Sequence, residues 1–111
     1  MVSHEWKFLN EETSATVGNE FRIENRTGST TIAISINGTA TAYTIALQAK
    51  GLLGEYVTIW GWDETNKTLI SSITEATGKL ITIDGTAKDK IRLNLSAVSG
   101  GNISASGKVV E

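Results

Sequence analysis

The stretch KIRLNLSAV at residues 90–98 shows the pattern that decides the fold, because apolar Ile91, Leu93 and Leu95 alternate there with polar residues. Two earlier stretches alternate in the same way, residues 30–37 and residues 41–49. A period of two places the apolar side chains on one face of a β-strand, and that face must be covered by a second layer. Since no helix-length pattern interrupts the alternation, we predict an all-β chain.

Turn residues divide the chain into about eight strands, which suggests a single antiparallel β-sandwich with jelly-roll or immunoglobulin-like topology. We predict that this domain spans residues 19–111 and that residues 1–18 form an N-terminal arm. Asn37-Gly38 is a strong hairpin signal, so we expect the stretches on either side of it to pair. The predicted strands are 20–25, 30–37, 41–49, 56–63, 68–74, 79–83, 90–98 and 102–110.

Composition limits the classes of partner. The 111 residues suffice for one domain, and the absence of cysteine excludes disulfides and thiolate metal sites. The formal net charge is −2, and the ten basic residues are scattered along the sequence without a visible basic stripe. We therefore expect no nucleic-acid partner. The N-terminus has no apolar signal region and no later segment is long enough to span a bilayer, so we expect no export signal and no membrane partner. The absence of cysteine suits synthesis in a reducing cytoplasm.

The residues that catalysis requires are few. His4 is the only histidine, so neither a nucleophile–histidine pair in the body of the domain nor a multi-histidine metal site is expected. The carboxylates lie in polar turns or in the arm, where they commonly serve solubility and turn formation. Calcium bound by Asp63, Glu64 and Asn66 is an alternative, but their spacing is not that of a known calcium loop. We predict a protein that is not an enzyme and that carries no metal or cofactor.

Aromatic residues form the one candidate recognition site. Tyr56, Trp60 and Trp62 have the spacing that places side chains on one face of a strand, and Trp6 and Phe8 in the predicted arm could complete the group. Three roles stay open for these five residues: packing of the arm on the core, an interface between subunits, or a platform on which sugar rings stack.

Three stretches in the second half of the chain carry a resemblance to a known class of proteins. They are YVTIWGW at residues 56–62, TGKLITIDG at residues 77–85, and KIRLNLSAVSGGNISASG at residues 90–107. These segments resemble the strand pairs of small β-sandwich virion proteins of tailed bacteriophages, of the head-decoration, head-fibre and tail-accessory types.

The resemblance implies a non-enzymatic structural protein of a phage particle, a capsid decoration or a head/tail accessory subunit located in the virion. It also implies a homo-oligomer with other virion proteins, the major capsid or tail proteins, as partners. The alternative function is a carbohydrate-binding module that attaches to a host-surface glycan through Trp60 and Trp62.

Overall fold

The computed structural model describes residues 3–23, 31–51, 53–74, 79–84 and 88–110, and the description below is confined to them. This part of the chain contains twelve strands and no helix, so none of it is a helix that could cross a membrane. The strands are β1 (Ser3–Glu12), β2 (Thr16–Val17), β3 (Phe21–Arg22), β4 (Thr31–Gly38), β5 (Ala42–Lys50), β6 (Val57–Thr58), β7 (Gly61–Asp63), β8 (Thr68–Ile70), β9 (Ser72–Ile73), β10 (Lys79–Asp84), β11 (Lys90–Ser99) and β12 (Ile103–Val110).

The strands form two antiparallel sheets that pack face to face, which confirms the predicted all-β sandwich. Sheet A has the strand order β1-β12-β4-β10-β7-β8. Sheet B has the order β2-β11-β5-β6, with β3 also paired to β11 and β9 also paired to β5. All pairings between the described strands are antiparallel.

Alternating apolar residues fill the space between the sheets. Each of the three clearest patterns, in β4, β5 and β11, places its apolar set inside and its polar set outside, as the period of two requires. Every member of these sets is at most 4% exposed. The inward residues of the three strands are Ile32, Ile34, Ile36, Tyr43, Ile45, Leu47, Ala49, Ile91, Leu93 and Leu95.

The predicted hairpin between β4 and β5 is wrong, because the two strands lie in opposite sheets. β4 pairs with β10 and β12 in sheet A, whereas β5 pairs with β11 in sheet B. The Asn37-Gly38 turn therefore carries the chain from one sheet to the other. A second crossing connects β11 to β12 beside it. Local sequence could not separate the two cases, since a sheet-crossing corner needs the same turn residues as a hairpin.

The two sheet-crossing corners are bonded to each other. The amides of Thr39 and Ala40 both donate to the Asn102 carbonyl, at 2.9 and 3.0 Å, and the Asn102 amide donates back to the Thr39 hydroxyl at 3.1 Å. Gly101 permits this approach, since a Cβ there would be 2.5 Å from the Thr39 hydroxyl oxygen and its φ of 149° disfavours other residues. The corners thereby fix the stacking of the β4–β12 pair over the β5–β11 pair.

The predicted strands at 56–63 and 68–74 are each divided by a change of sheet. β6 and β9 extend sheet B, whereas β7 and β8 form a hairpin in sheet A. The backbone of Leu47 on β5 is bonded to both segments that change sheet. Its amide donates to the Ser71 carbonyl between β8 and β9, and its carbonyl accepts from the Ile59 amide between β6 and β7. The hairpin thus closes one side of the sandwich. The described residues form twelve strands, against about eight expected.

The expected arm at residues 1–18 differs from the structure, because its described residues 3–18 belong to the sandwich. β1 is the edge strand of sheet A and pairs with β12 along its length. The register shifts between Lys7 and Leu9, which turns the consecutive side chains of Phe8 and Leu9 into the core, where they are 1% and 0% exposed. Such a bulge breaks the strict alternation of a strand, which is why this segment lacked strand spacing in the sequence.

Candidate binding surfaces

An apolar stripe lies on the outer face of sheet A, near the β8 edge. It consists of Trp62 on β7, Leu69 on β8 and Leu80 on β10. Trp62 and Leu69 are directly opposite each other, and Leu80 is diagonal to Trp62, whose direct partner on β10 is Thr82. Their side chains are 38%, 60% and 41% exposed. Side chains at these positions are neighbours on one face, so the three form a continuous apolar surface.

Trp60 lies beside this stripe at the crossing from β6 to β7 and is 65% exposed. It is the most exposed aromatic side chain among the described residues. The hairpin register would place Trp60 beyond the Gly61–Ile70 pair, next to the end of the stripe. The side chains of Trp60 and Trp62 are therefore both accessible to solvent.

Tyr56 is not part of that surface, so the predicted aromatic row is broken. The chain changes sheets between Tyr56 and Trp62, which places Tyr56 on the side of sheet B. Its hydroxyl donates a 2.6 Å hydrogen bond to Glu20, and its ring lies 3.8 Å from the Arg92 guanidinium carbon. Burial and the bond to Glu20 raise the pKa of the Tyr56 phenol well above its usual range, so the phenol stays protonated.

The same hydrogen bond lowers the pKa of the Glu20 carboxyl, and the nearby charges of Lys90, Lys50 and Arg92 lower it further. Glu20 follows β2 at one edge of sheet B, whereas Tyr56 precedes β6 at the other edge. The pair therefore spans the outer face of the sheet. Arg92 is held beneath the Tyr56 ring by a 2.8 Å bond from its Nε to the Gln48 side chain.

Trp6 and Phe8 lie on the opposite edge of sheet A from Trp62. Phe8 is 1% exposed and packs edge-on against Phe21, with ring centroids 6.4 Å apart. Trp6 lies over the same Phe21 ring at 5.8 Å and is 38% exposed. Four strand spacings separate β1 from β7, about 19 Å, so the Trp6 backbone is far from Trp62. Phe8 is a core residue, and Trp6 completes no surface with Trp60 or Trp62.

A row of cations on sheet B was not visible in the sequence. Lys90 on β11 is directly opposite Lys50 on β5 and directly opposite Arg22 on β3. All three point outward, because Ile91, the next residue of β11, points into the core. Basic residues that are scattered along the sequence are neighbours here, because strand register brings together positions that are far apart in the chain. The signal in the sequence was only that each cation ends or begins a strand.

Asp63 and Asn66, two of the three residues of the calcium alternative, take part in a turn. Asp63 is 1% exposed, and its carboxylate accepts from the amides of Thr65 at 2.9 Å and Asn66 at 3.3 Å and from the Asn66 side chain at 3.1 Å. This bonding closes the β7–β8 hairpin. Nowhere in the described ranges do three acidic or histidine side chains gather as metal ligands would. The side chain of His4 lies outside the described part of the structure. That the protein is not an enzyme stays a prediction.

These features define a small two-sheet β-sandwich with an apolar stripe on the outer face of sheet A and a row of cations on the outer face of sheet B. The family model described as XepA matches residues 3–109, and the chain belongs to this family. No curated protein sequence matches it.

Two solved structures share the fold. One is the SPBc2 prophage-derived protein YomS, with 24% identity and a TM-score of 0.89 over 99% of this chain and 94% of that one. The other is the PBSX exported protein XepA, with 20% identity and a TM-score of 0.91 over 99% of this chain. The present chain spans 38% of the length of that XepA. The family model gives the family, and the two solved structures, both below 25% identity, show the shared fold.

Proposed function

We propose that the protein is a non-enzymatic structural component of a bacteriophage particle. In this role it is a capsid decoration or a head/tail accessory subunit that assembles as a homo-oligomer on other virion proteins. The observation that carries the proposal is the exposed apolar stripe of Trp62, Leu69 and Leu80. Membership of the XepA family supports the association with phage, and the fold supplies a rigid scaffold on which a flat face is presented.

The stripe has the properties of a subunit interface. Contiguous apolar surface on a soluble domain is commonly a site of interaction, and tryptophan is enriched among the residues that carry binding energy. β8 is the outermost strand of sheet A, and it is only three residues long. The stripe therefore reaches the rim of the sheet, where a neighbouring subunit can approach without obstruction by further described strands.

A second copy of the chain is the proposed occupant of the stripe. Two flat antiparallel faces pack against each other about 10 Å apart, as the two sheets do within one subunit. In a two-fold arrangement, each copy would place Leu69 against the tryptophan of the other, and the same patch serves both partners. Such packing would remove the three apolar side chains of each copy from water.

The test compares two leucine-to-lysine variants by sedimentation equilibrium over a range of protein concentrations. Leu69→Lys places a charge in the stripe, and we expect it to weaken self-association at least tenfold. Leu53→Lys is the matched control, because Leu53 is 89% exposed in the connection between β5 and β6. A wild-type protein that stays monomeric, or equal weakening by both variants, would contradict the assembly.

The position on the particle is tested separately by co-sedimentation with isolated capsids and with isolated tails of the phage that encodes the protein. Binding to one and not the other would distinguish a decoration from a tail accessory subunit. Loss of that binding in Leu69→Lys would connect it to the stripe. A protein that sediments with neither particle would contradict a role in the virion.

The exposure of Trp60 favours a second candidate function, a carbohydrate-binding module for host attachment. An exposed indole ring presents a flat apolar face on which a sugar ring can stack, and Trp62 lies two residues away. The variants Trp60→Ala and Trp62→Ala distinguish the candidates. Lost binding to host-surface glycan with intact assembly favours the module, and lost assembly with no measurable glycan binding favours the structural protein.

A further inference from the structure

The row of cations on the outer face of sheet B is the strongest feature that the proposed function leaves unexplained. Three neighbouring strands place Arg22, Lys90 and Lys50 at directly opposite positions. The backbone of each residue therefore lies about 5 Å from that of the next across the sheet. Arg92 follows two residues after Lys90 on the same face. Like charges at directly opposite positions repel each other and destabilise a sheet.

The acids near this row offset only part of its charge. No carboxylate forms an ion pair with Arg22, Lys50 or Lys90 within the part of the chain that the structure describes. Glu20 is close enough to interact with the charges of Lys50, Lys90 and Arg92, but its carboxylate accepts the hydrogen bond from Tyr56. Asp89 is the other nearby acid. Within the described ranges, the four cations of this face outnumber the nearby acids Glu20 and Asp89, in a chain whose formal net charge is −2.

From this arrangement we infer that the face formed by Arg22, Lys50, Lys90 and Arg92 binds phosphate groups of a linear polyanion. Three long cationic side chains that start about 5 Å apart can converge on a single anion. A phosphate group offers more acceptor oxygens than a carboxylate and accepts donors from several directions, which suits convergence of two ammonium groups and a guanidinium. Arg92 continues the row along β11 and can contact the next phosphate of a polymer.

Contacts with neighbouring side chains restrict two cations of this face, Arg92 and Lys50. The Arg92 side chain is fixed between the Tyr56 ring and the Gln48 amide, so its guanidinium loses little additional freedom on binding an anion. The Lys50 ammonium lies 5.8 Å from the same ring. Arg22 is exposed, and Lys50, Lys90 and Arg92 are half-buried. Long cationic side chains commonly cover apolar surface with their stems while the charged group stays in water.

The experiment measures binding of the whole chain to inorganic polyphosphate by isothermal calorimetry at several salt concentrations. Lys50→Gln combined with Lys90→Gln removes two charges from the row, and we expect affinity to fall at least tenfold. The slope of log affinity against log salt should fall by about 1.4, or about 0.7 for each lost contact. The matched control is Lys7→Gln combined with Lys108→Gln, which makes the same charge change on exposed residues of sheet A, and its affinity should change less than twofold.

Each alternative outcome decides against the proposal. Equal losses of affinity in the two double variants would show that net charge governs binding. If wild-type protein does not bind polyphosphate at about 50 mM salt, the site is excluded. Equal affinity for polyglutamate of the same charge would show that the face is not selective for phosphate. An oligodeoxythymidine that binds tenfold more tightly than polyphosphate of equal phosphate number would identify base recognition instead. Circular dichroism of each double variant checks that the fold is retained, and single Lys90→Gln, expected to lose severalfold affinity, replaces the double variant if it unfolds.

Discussion

The Tyr56 hydroxyl and the Glu20 carboxylate are joined by a 2.6 Å hydrogen bond that spans the outer face of sheet B. The residues are 36 positions apart in the sequence, and they precede strands on opposite edges of the sheet. The ring of this tyrosine stacks on one face of the Arg92 guanidinium, whose carbon is 3.8 Å from the ring centre. This contact connects the β2–β3 region to the segment that leads into β6.

Removal of the Tyr56 hydroxyl should change the acid titration of Glu20. Because the bond from Tyr56 is the largest cause of the lowered Glu20 pKa, we expect Tyr56→Phe to raise that pKa toward its ordinary value of 4.5. A lowered pKa in the folded state contributes stability above the unfolded pKa, and this stability is lost as pH falls through the folded value. Carboxyl NMR titration of Glu20 in both proteins measures the shift. An unchanged Glu20 titration would show that the bond does not form in solution.

The same pair makes a prediction at alkaline pH. The pKa of the Tyr56 phenol is raised in the folded protein, so the unfolded chain releases this proton first, and folding should lose stability as pH rises above about 10. The difference in phenolate absorbance between wild-type protein and Tyr56→Phe reports the ionisation of Tyr56 alone. We expect no Tyr56 phenolate in the folded protein at pH 10. Half-ionisation at that pH without unfolding would contradict the assigned environment.

Gly61 should be sensitive to a single added methyl group. A Cβ at this position would lie 2.9 Å from both Leu47 Cδ1 and Ile81 Cγ2, where the chain crosses between the sheets. Gly61→Ala is expected to lower the free energy of unfolding by about 1–3 kcal/mol through overpacking. Urea denaturation measures the change, with Gly51→Ala as the control because its nearest contact would be an ordinary 3.8 Å. Equal stabilities of the two variants would mean that the crossing relaxes freely.

Phe8 distinguishes an integral edge strand from a detachable arm. Its side chain is 1% exposed, so Phe8→Ala should lower the free energy of unfolding by about 3–5 kcal/mol, the usual cost of deleting a buried aromatic ring. Trp6→Ala is the comparison on the same strand, with an expected loss of about 1 kcal/mol because Trp6 is 38% exposed. Thermal or urea denaturation gives both values. A Phe8→Ala protein as stable as wild type would restore the arm interpretation.

The Asp63 carboxylate should stabilise the β7–β8 hairpin through its hydrogen bonds to the turn, without a bound metal ion. Asp63→Ala leaves the amides of Thr65 and Asn66 without their acceptor, and we expect a loss of about 1–3 kcal/mol in the free energy of unfolding. Asp63→Asn keeps one acceptor oxygen and should lose less. The neighbouring ion pair of Glu64 with Lys67 is a 3.6 Å surface contact, so Lys67→Gln, its control, should change stability by less than about 1 kcal/mol. Identical stabilities for wild type and Asp63→Ala would refute this role.

The sequence could group the residues of the candidate site only where they lie close together in one short segment. The sequence pointed to Trp60 and Trp62, and both are accessible. It also grouped Tyr56 with them, which fails because the chain changes sheets in between, and a change of sheet leaves no trace in a pattern of alternating residues. The choice among the three roles left open for Phe8 needed the structure for a related reason, since a bulge places two consecutive side chains inside and hides the strand spacing.

By itself, the sequence determined that the chain forms strands with one apolar face each and that two layers must cover those faces. The period of two in β4, β5 and β11 is a local property, and burial of Ile34, Leu47 and Leu93 follows from it directly. Only the tertiary structure decided which strands are neighbours, because a strand's backbone hydrogen bonds are the same with any partner of suitable length. That decision turned Asn37-Gly38 into a sheet-crossing corner and placed Lys90 between Lys50 and Arg22. Pairing across a sheet connects residues without regard to their distance along the chain, and the surfaces that could bind partners arise from it.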